Sequence, residues 1–298
     1  MPTDPQRSQA PSAAYAPRHA TNDPDVFLIP EDQLPPGLAD RVTSTDSTPA
    51  PCRPAATVVL VRDSADGPEV LMLRRHGRAG FAADAWVFPG GVVDVGDGRP
   101  DVERVMDGPT AQEWARRMQL DSPTEALGYV AAAVREAFEE TGILLARGAA
   151  SLGQERAEAL RGDVLEGRAG LAEVAAGGGL RISGDELLYI AHWITPTPEP
   201  RRYDTRFFLA AVRDDEVCVP HAAEMTDSAW MPPAEAVARY RAGEMKLLPP
   251  TVKTLERLSG FGTVREMADS LRDEAVPARL PVMERRPDGV AIVLRDGG

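Results

Sequence analysis

Val134-Arg135-Glu136-Ala137-Phe138-Glu139-Glu140-Thr141-Gly142-Ile143 is the stretch on which the fold turns, with three carboxylates and an arginine inside six residues and a glycine close behind. On a helix, Glu136 lies three residues before Glu139 and four before Glu140, so the three side chains converge near the helix end. Val130, Val134 and Phe138 recur at spacing four on another face, which predicts that this face is buried while the carboxylates stay accessible. Gly142 is the expected stop. Like charges this close repel unless something neutralises them, and carboxylate clusters suit hard divalent cations such as Mg²⁺ or Mn²⁺. Arg135, four residues before Glu139, could hold one carboxylate in place. A solvated acidic face on an amphipathic helix would use the same residues, and this stretch alone leaves both readings open.

Composition narrows the field. The 298 residues, 43% of them hydrophobic, can build one large domain or two small ones around a sizeable core. Thirty-three Lys and Arg against 46 Asp and Glu give a net charge of −13, which argues against general binding to nucleic acid or to anionic membranes. An anionic substrate would therefore need local cations or metal. Cys52 and Cys218 are too few and too distant for a disulfide framework or a zinc knuckle, so a reducing compartment is expected. No run approaches a membrane span and the N-terminus lacks the apolar core of a signal peptide, so the expected location is cytoplasmic.

Residues 1–54 are expected to be a disordered or arm-like segment. Residues 1 to about 24 are rich in Pro, Ala, Ser and Gln. Phe27-Leu28-Ile29-Pro30 and residues 34–38 read as a docking arm, and residues 43–54 as a linker. The folded domain, residues 55–298, opens with a hairpin of residues 56–62 and 69–75 around the turn Asp63-Ser64-Ala65-Asp66-Gly67. A short strand, Ala85-Trp86-Val87-Phe88-Pro89-Gly90-Gly91, ends on a diglycine that permits close backbone approach. Residues 98–127 read as an insertion with one amphipathic piece at 113–118, residues 125–141 as the acidic helix, and residues 150–180 as a helical decoration. Strands are expected at 187–194, 203–212 and 290–294, and helices at 234–242, 250–259 and 264–271. Strands early and late with helices between make a mixed α/β or α+β sandwich.

Gly91-x5-Asp97, then 37 residues, then Arg135-Glu136-Ala137-Phe138-Glu139-Glu140-Thr141-Gly142-Ile143, resembles the box of the Nudix hydrolases, Gly-x5-Glu-x7-Arg-Glu-U-x-Glu-Glu-x-Gly-U with U apolar. The second half matches, with Ala137 as a small U. In the first half Asp97 stands where Glu is usual, and about thirty extra residues divide the halves. Phe88-Pro89-Gly90-Gly91 leads into the box as in that superfamily. The long insertion, the segment Arg201-Arg202-Tyr203-Asp204-Thr205-Arg206-Phe207-Phe208 and Leu247-Leu248-Pro249-Pro250-Thr251 are similar to the peroxisomal coenzyme A diphosphatase branch. The coenzyme A motif of a different, bacterial Nudix branch is not intact, because Gly80 and Asp84 occupy its places.

The resemblance implies an α/β/α sandwich with a mixed central sheet and helical insertions, and Mg²⁺- or Mn²⁺-dependent hydrolysis of a diphosphate in a nucleoside diphosphate derivative. Its closest branch implies coenzyme A or acyl-CoA, cleaved to adenosine 3',5'-bisphosphate and (acyl-)phosphopantetheine. NADH, ADP-ribose, dinucleotides or oxidised nucleotides are alternative substrates, and a non-catalytic ligand sensor is a further alternative. Glu136, Glu139 and Glu140 are the expected metal ligands and catalytic carboxylates. Arg135 is expected to orient one of them, and Glu224, six residues before Trp230, to serve as general base or added ligand. Arg74, Arg75, Arg202 and Arg206, with Gly90 and Gly91, are the candidate substrate contacts, since Arg suits bidentate phosphate recognition and residues 202, 204 and 206 share a strand face. His76, His192 and His221 have no ligand-like spacing and are expected to be structural or exposed. No nucleic-acid or membrane partner is expected, and a homodimer is compatible with a superfamily in which dimers are common.

Overall fold

The computed structural model describes residues 17–19, 23–44, 48–78 and 82–295, so residues 1–16 of the expected tail and Gly80 lie outside the described residues. In chain order the main elements are Val26–Pro30 (β1), Leu38–Thr43 (α1), Cys52–Ser64 (β2), Gly67–Arg75 (β3), Gly90–Val92 (β4), Pro100–Val105 (α2), Ala111–Met118 (α3), Pro123–Thr141 (α4), Gln154–Leu165 (α5) and Leu171–Gly178 (α6). There follow Leu187–Ile194 (β5), Arg202–Ala211 (β6), Met225–Met231 (β7), Pro233–Arg241 (α7), Pro249–Leu258 (α8), Val264–Leu271 (α9), Val282–Arg286 (β8) and Gly289–Val293 (β9).

The central sheet runs β7-β3-β2-β6-β5. β2 and β6 are parallel and the other pairs along this path antiparallel, so the sheet is mixed as expected. The apolar run of β2 explains why it sits in the middle: Ala56, Val58 and Leu60 pack under α4, while Val59 and Val61 face α7, α8 and α9. A strand buried on both faces needs no polar alternation. Helices on both faces make the α/β/α sandwich. Near its start β2 also pairs with β4, Ala55 opposite Val92 and Thr57 opposite Gly90, on the same edge that β3 occupies farther along. That shared edge delivers the diglycine to the sheet beside the end of β3.

Two regions were opaque in the sequence. β1 pairs with β9 and β9 with β8, so the expected arm is one strand of a small sheet joining residues near both ends of the described chain. In the segment expected to be an insertion, the amphipathic piece at 113–118 lies within α3, while α2 before it had no clear signal; Thr110 closes a capping box with Glu113, and Trp114 is fully buried. Among the described residues no helix is long and apolar enough to cross a membrane.

Candidate active site

α4 starts where its caps place it. The Ser122 side chain accepts the Glu125 amide at 3.2 Å, Pro123 takes the first turn, and Gly142 closes the helix with a left-handed φ of 76°. The open carbonyl of Glu139 in the last turn receives Nε and Nη2 of Arg161 from α5, at 3.0 and 2.7 Å. The segment that reads as decoration thus supplies a cap to the acidic helix. Val130, Val134 and Phe138 are buried as their spacing predicts. The expectation of accessible carboxylates is corrected: Glu136 and Glu140 are buried as well, because β4 covers one flank of α4 and α2 and α3 pack against another.

Arg135 organises this buried polar layer. Its Nε and Nη2 fork onto Asp97 at 3.0 and 2.9 Å, its Nη1 reaches Glu136 at 2.8 Å and Glu139 at 3.1 Å, and Nη2 also bonds the Val92 carbonyl at 2.8 Å. Asp97 is therefore part of the site despite the long interruption after it, held by a bidentate pair of the kind arginine favours. Burial works against the Arg135 charge, but Asp97, Glu136 and Glu139 outweigh it and hold the guanidinium more firmly protonated than usual.

The three glutamates divide into two settings. Glu139 is half-buried and turned to Arg135; burial raises its carboxyl despite that cation. Glu136 and Glu140 face the diglycine. The Gly90 amide donates to Glu140 Oε2 at 3.0 Å, and a Cβ at Gly91 would land on the Glu136 carboxylate, so any other residue there would have to push that carboxylate aside. Burial raises Glu136 to about 7, and burial plus the charge of Glu136 pushes Glu140 well above the carboxylate range. One guanidinium thus faces more carboxylates than it can neutralise. Among the described residues no three His, Cys, Asp or Glu side chains are gathered into a finished coordinating group.

Glu224 is exposed on the loop before β7, and its charge acts on Glu140. The loop is laid against the end of α4 by backbone bonds from Val219 to Thr141 and from His221 to Glu140. Arg75, half-buried at the end of β3, also acts on Glu140, and its Nε has no hydrogen-bond partner. Arg75 and Gly90 stand at one side of a cleft of about 220 Å³.

The other candidate arginines are engaged elsewhere. Arg74 points away from its neighbour and pairs with Asp84 at 3.4 Å on the surface. Arg202 bonds the carbonyls of Thr195 and Ala50, tying strand ends together. Arg206 is buried, donating to Tyr189 Oη at 2.8 Å and to the Met118 carbonyl at 3.1 Å, with its guanidinium over the Tyr129 ring. Residues 202, 204 and 206 do share a face, but α3 and α4 cover the part that holds Arg206. His192 is a structural partner of Asp204, at 2.7 Å.

A family profile described as the NUDT19 Nudix domain matches residues 109–258. Putative nudix hydrolase 7 of Caenorhabditis elegans is 31% identical over 70% of this chain, which spans 60% of that relative's length. Acyl-coenzyme A diphosphatase NUDT19 of Homo sapiens is 28% identical over 77% of this chain and 72% of its own. A crystal structure of a Nudix hydrolase from Alicyclobacillus acidocaldarius superposes with a TM-score of 0.62 at 29% identity, covering 76% of this chain and 99% of that one.

Proposed function

The chain belongs to the Nudix hydrolases of the NUDT19 type, and from that premise we propose that it hydrolyses the diphosphate of coenzyme A or its acyl thioesters, giving adenosine 3',5'-bisphosphate and (acyl-)phosphopantetheine. One phosphorus–oxygen bond of the bridge breaks, and the oxygen of water is added to the phosphorus. The observation that carries this reading is the pair Glu136 and Glu140, buried side by side against Gly90 and Gly91 with too little cationic charge to balance them. Such an oxygen-donor pair fits Mg²⁺ or Mn²⁺, since Mg²⁺ is commonly held by one or two carboxylates and completed by water and substrate phosphates. When bound, the ion supplies charge for the phosphate oxygens and acidifies a water.

The protein's own groups do the rest. Arg135 holds Asp97, Glu136 and Glu139 in register, so that Glu136 is presented to the diglycine. The Gly90 amide fixes one oxygen of Glu140. Arg75, with an unpartnered Nε beside Glu140, is the phosphate contact. Glu224, close enough for its charge to act on Glu140 yet exposed, accepts the proton of the attacking water. NADH and ADP-ribose are the competing substrates. Full-length protein incubated with coenzyme A, octanoyl-CoA, NADH and ADP-ribose, with Mg²⁺ and with EDTA, tests the reading by mass spectrometry of the products. Phosphopantetheine species formed only with metal are expected; cleavage of NADH or ADP-ribose with no cleavage of either coenzyme A compound would contradict it.

A further inference from the structure

The cleft that begins at Arg75 and Gly90 has a wall that the Nudix box does not supply. One side is Phe88, Trp193 and Phe207 of the central sheet and its flanks, another is Leu248-Pro249-Pro250 at the start of α8, and a third is Met283 and Ile292 of the small sheet with Pro281 just before it. Met283 and Ile292 stand directly opposite each other in the β8–β9 ladder, and Ile292 is opposite Phe27 of β1, so pairing between the two ends of the described chain fixes this wall. Among the described lining residues only Arg75 and Glu199 are charged.

We propose that this cleft receives the uncharged half of the substrate, the pantetheine arm and any acyl chain on it, and that Met283 and Ile292 set how much apolar chain is admitted. This rests on the coenzyme A reading above. The charge distribution decides between the two halves of such a substrate. The diphosphate belongs at the end where Arg75 and the carboxylates lie. The adenosine half carries a further phosphate, and its burial in this cleft would need a second cation that the described lining lacks. The pantetheine arm has amides and methyls, and an acyl chain has only methylenes. Thr57, Thr195, Thr205 and Thr251 offer hydroxyls along the walls for the amides, and the apolar remainder gains by leaving water.

The test is the chain-length profile of kcat/KM for coenzyme A, butyryl-CoA, octanoyl-CoA and palmitoyl-CoA, measured on full-length protein with Mg²⁺. Met283→Trp, which fills the cleft, should lower the octanoyl-CoA to coenzyme A ratio by about fivefold or more, and Met283→Ala should shift the profile toward longer chains. Leu248→Phe, on a different wall, should act in the same direction as Met283→Trp and keeps the test independent of how well the small sheet tolerates tryptophan. Loss of the same factor for every chain length in all three variants would overturn the assignment of the cleft alone. Wild-type protein that cleaves no coenzyme A compound would instead overturn the reading beneath it.

Discussion

Among the described residues Arg135 and Arg206 are both buried arginines, and they serve opposite ends. Arg135 sits among Asp97, Glu136 and Glu139, while Arg206 donates to a phenol and a backbone carbonyl and lies over a tyrosine ring. Burial pushes the Tyr189 phenol higher still, so it stays neutral beside Arg206. Around Arg135 the charge is overcommitted on the negative side and invites a cation. Around Arg206 the hydrogen-bond partners are neutral and the one nearby carboxylate described, Asp204, is itself paired with His192, so the guanidinium works as a polar strut between β6, β5 and the end of α3. A buried charge marks function here only where its partners are themselves ionisable and in excess.

Substitution should separate the two. Arg135→Met leaves three carboxylates without their cation, and breaking a buried pair of this kind costs about 3–5 kcal/mol. Chemical denaturation should show that loss in EDTA, and Mg²⁺ should restore part of it, because an ion can replace some of the missing charge. An equal loss with and without Mg²⁺ would break the comparison. The second effect is a pH dependence. Burial raises Glu136 from the carboxylate range to about 7, so between those values the folded chain holds a proton that the unfolded chain has released. Its contribution is complete below the unfolded carboxyl value and is lost as pH rises through about 7, by roughly 3 kcal/mol. Stability measured in EDTA from about pH 5 to pH 8 should therefore fall, and the gain from Mg²⁺, which binds the charged form, should grow over the same range. The smallest effect is expected at Arg206. Arg206→Met removes two hydrogen bonds to neutral groups and should cost about 1–3 kcal/mol, independent of Mg²⁺, with kcat per folded molecule unchanged within about twofold. A loss of kcat there would return Arg206 to the substrate contacts.

The sequence carries the Arg135 setting more legibly than the Arg206 setting. In the box, residue type and spacing are both diagnostic: carboxylates at 136, 139 and 140, an arginine beside them and a helix-stopping glycine leave few geometries. Asp97 was harder to place, since 37 residues intervene before Arg135 and only the folding of α2 and α3 beneath α4 brings the two together. For Arg202 and Arg206 the period of two named the shared face correctly but could not say that helices cover it. Met225-Thr226-Asp227-Ser228-Ala229-Trp230-Met231 has a polar middle and no β-branched run, so β7 was missed; its place is earned by pairing with β3. Residues 290–294 read as a strand and β9 is there, but its place in a wall with β8 is not legible for a related reason, since its partner β1 lies some 260 residues earlier in the chain.

The central claim is that Glu136 and Glu140, turned to the diglycine, form the metal-facing pair, while Glu139, which shares Arg135 with Glu136 but makes no approach to the diglycine, stands outside it. Mn²⁺ titration followed by electron paramagnetic resonance on wild type, Glu136→Gln, Glu139→Gln and Glu140→Gln tests it without relying on turnover. Glu136→Gln and Glu140→Gln should each weaken binding by about tenfold or more, and Glu139→Gln by clearly less. Binding that survives loss of Glu140, or that depends on Glu139 as strongly as on Glu140, would contradict the account.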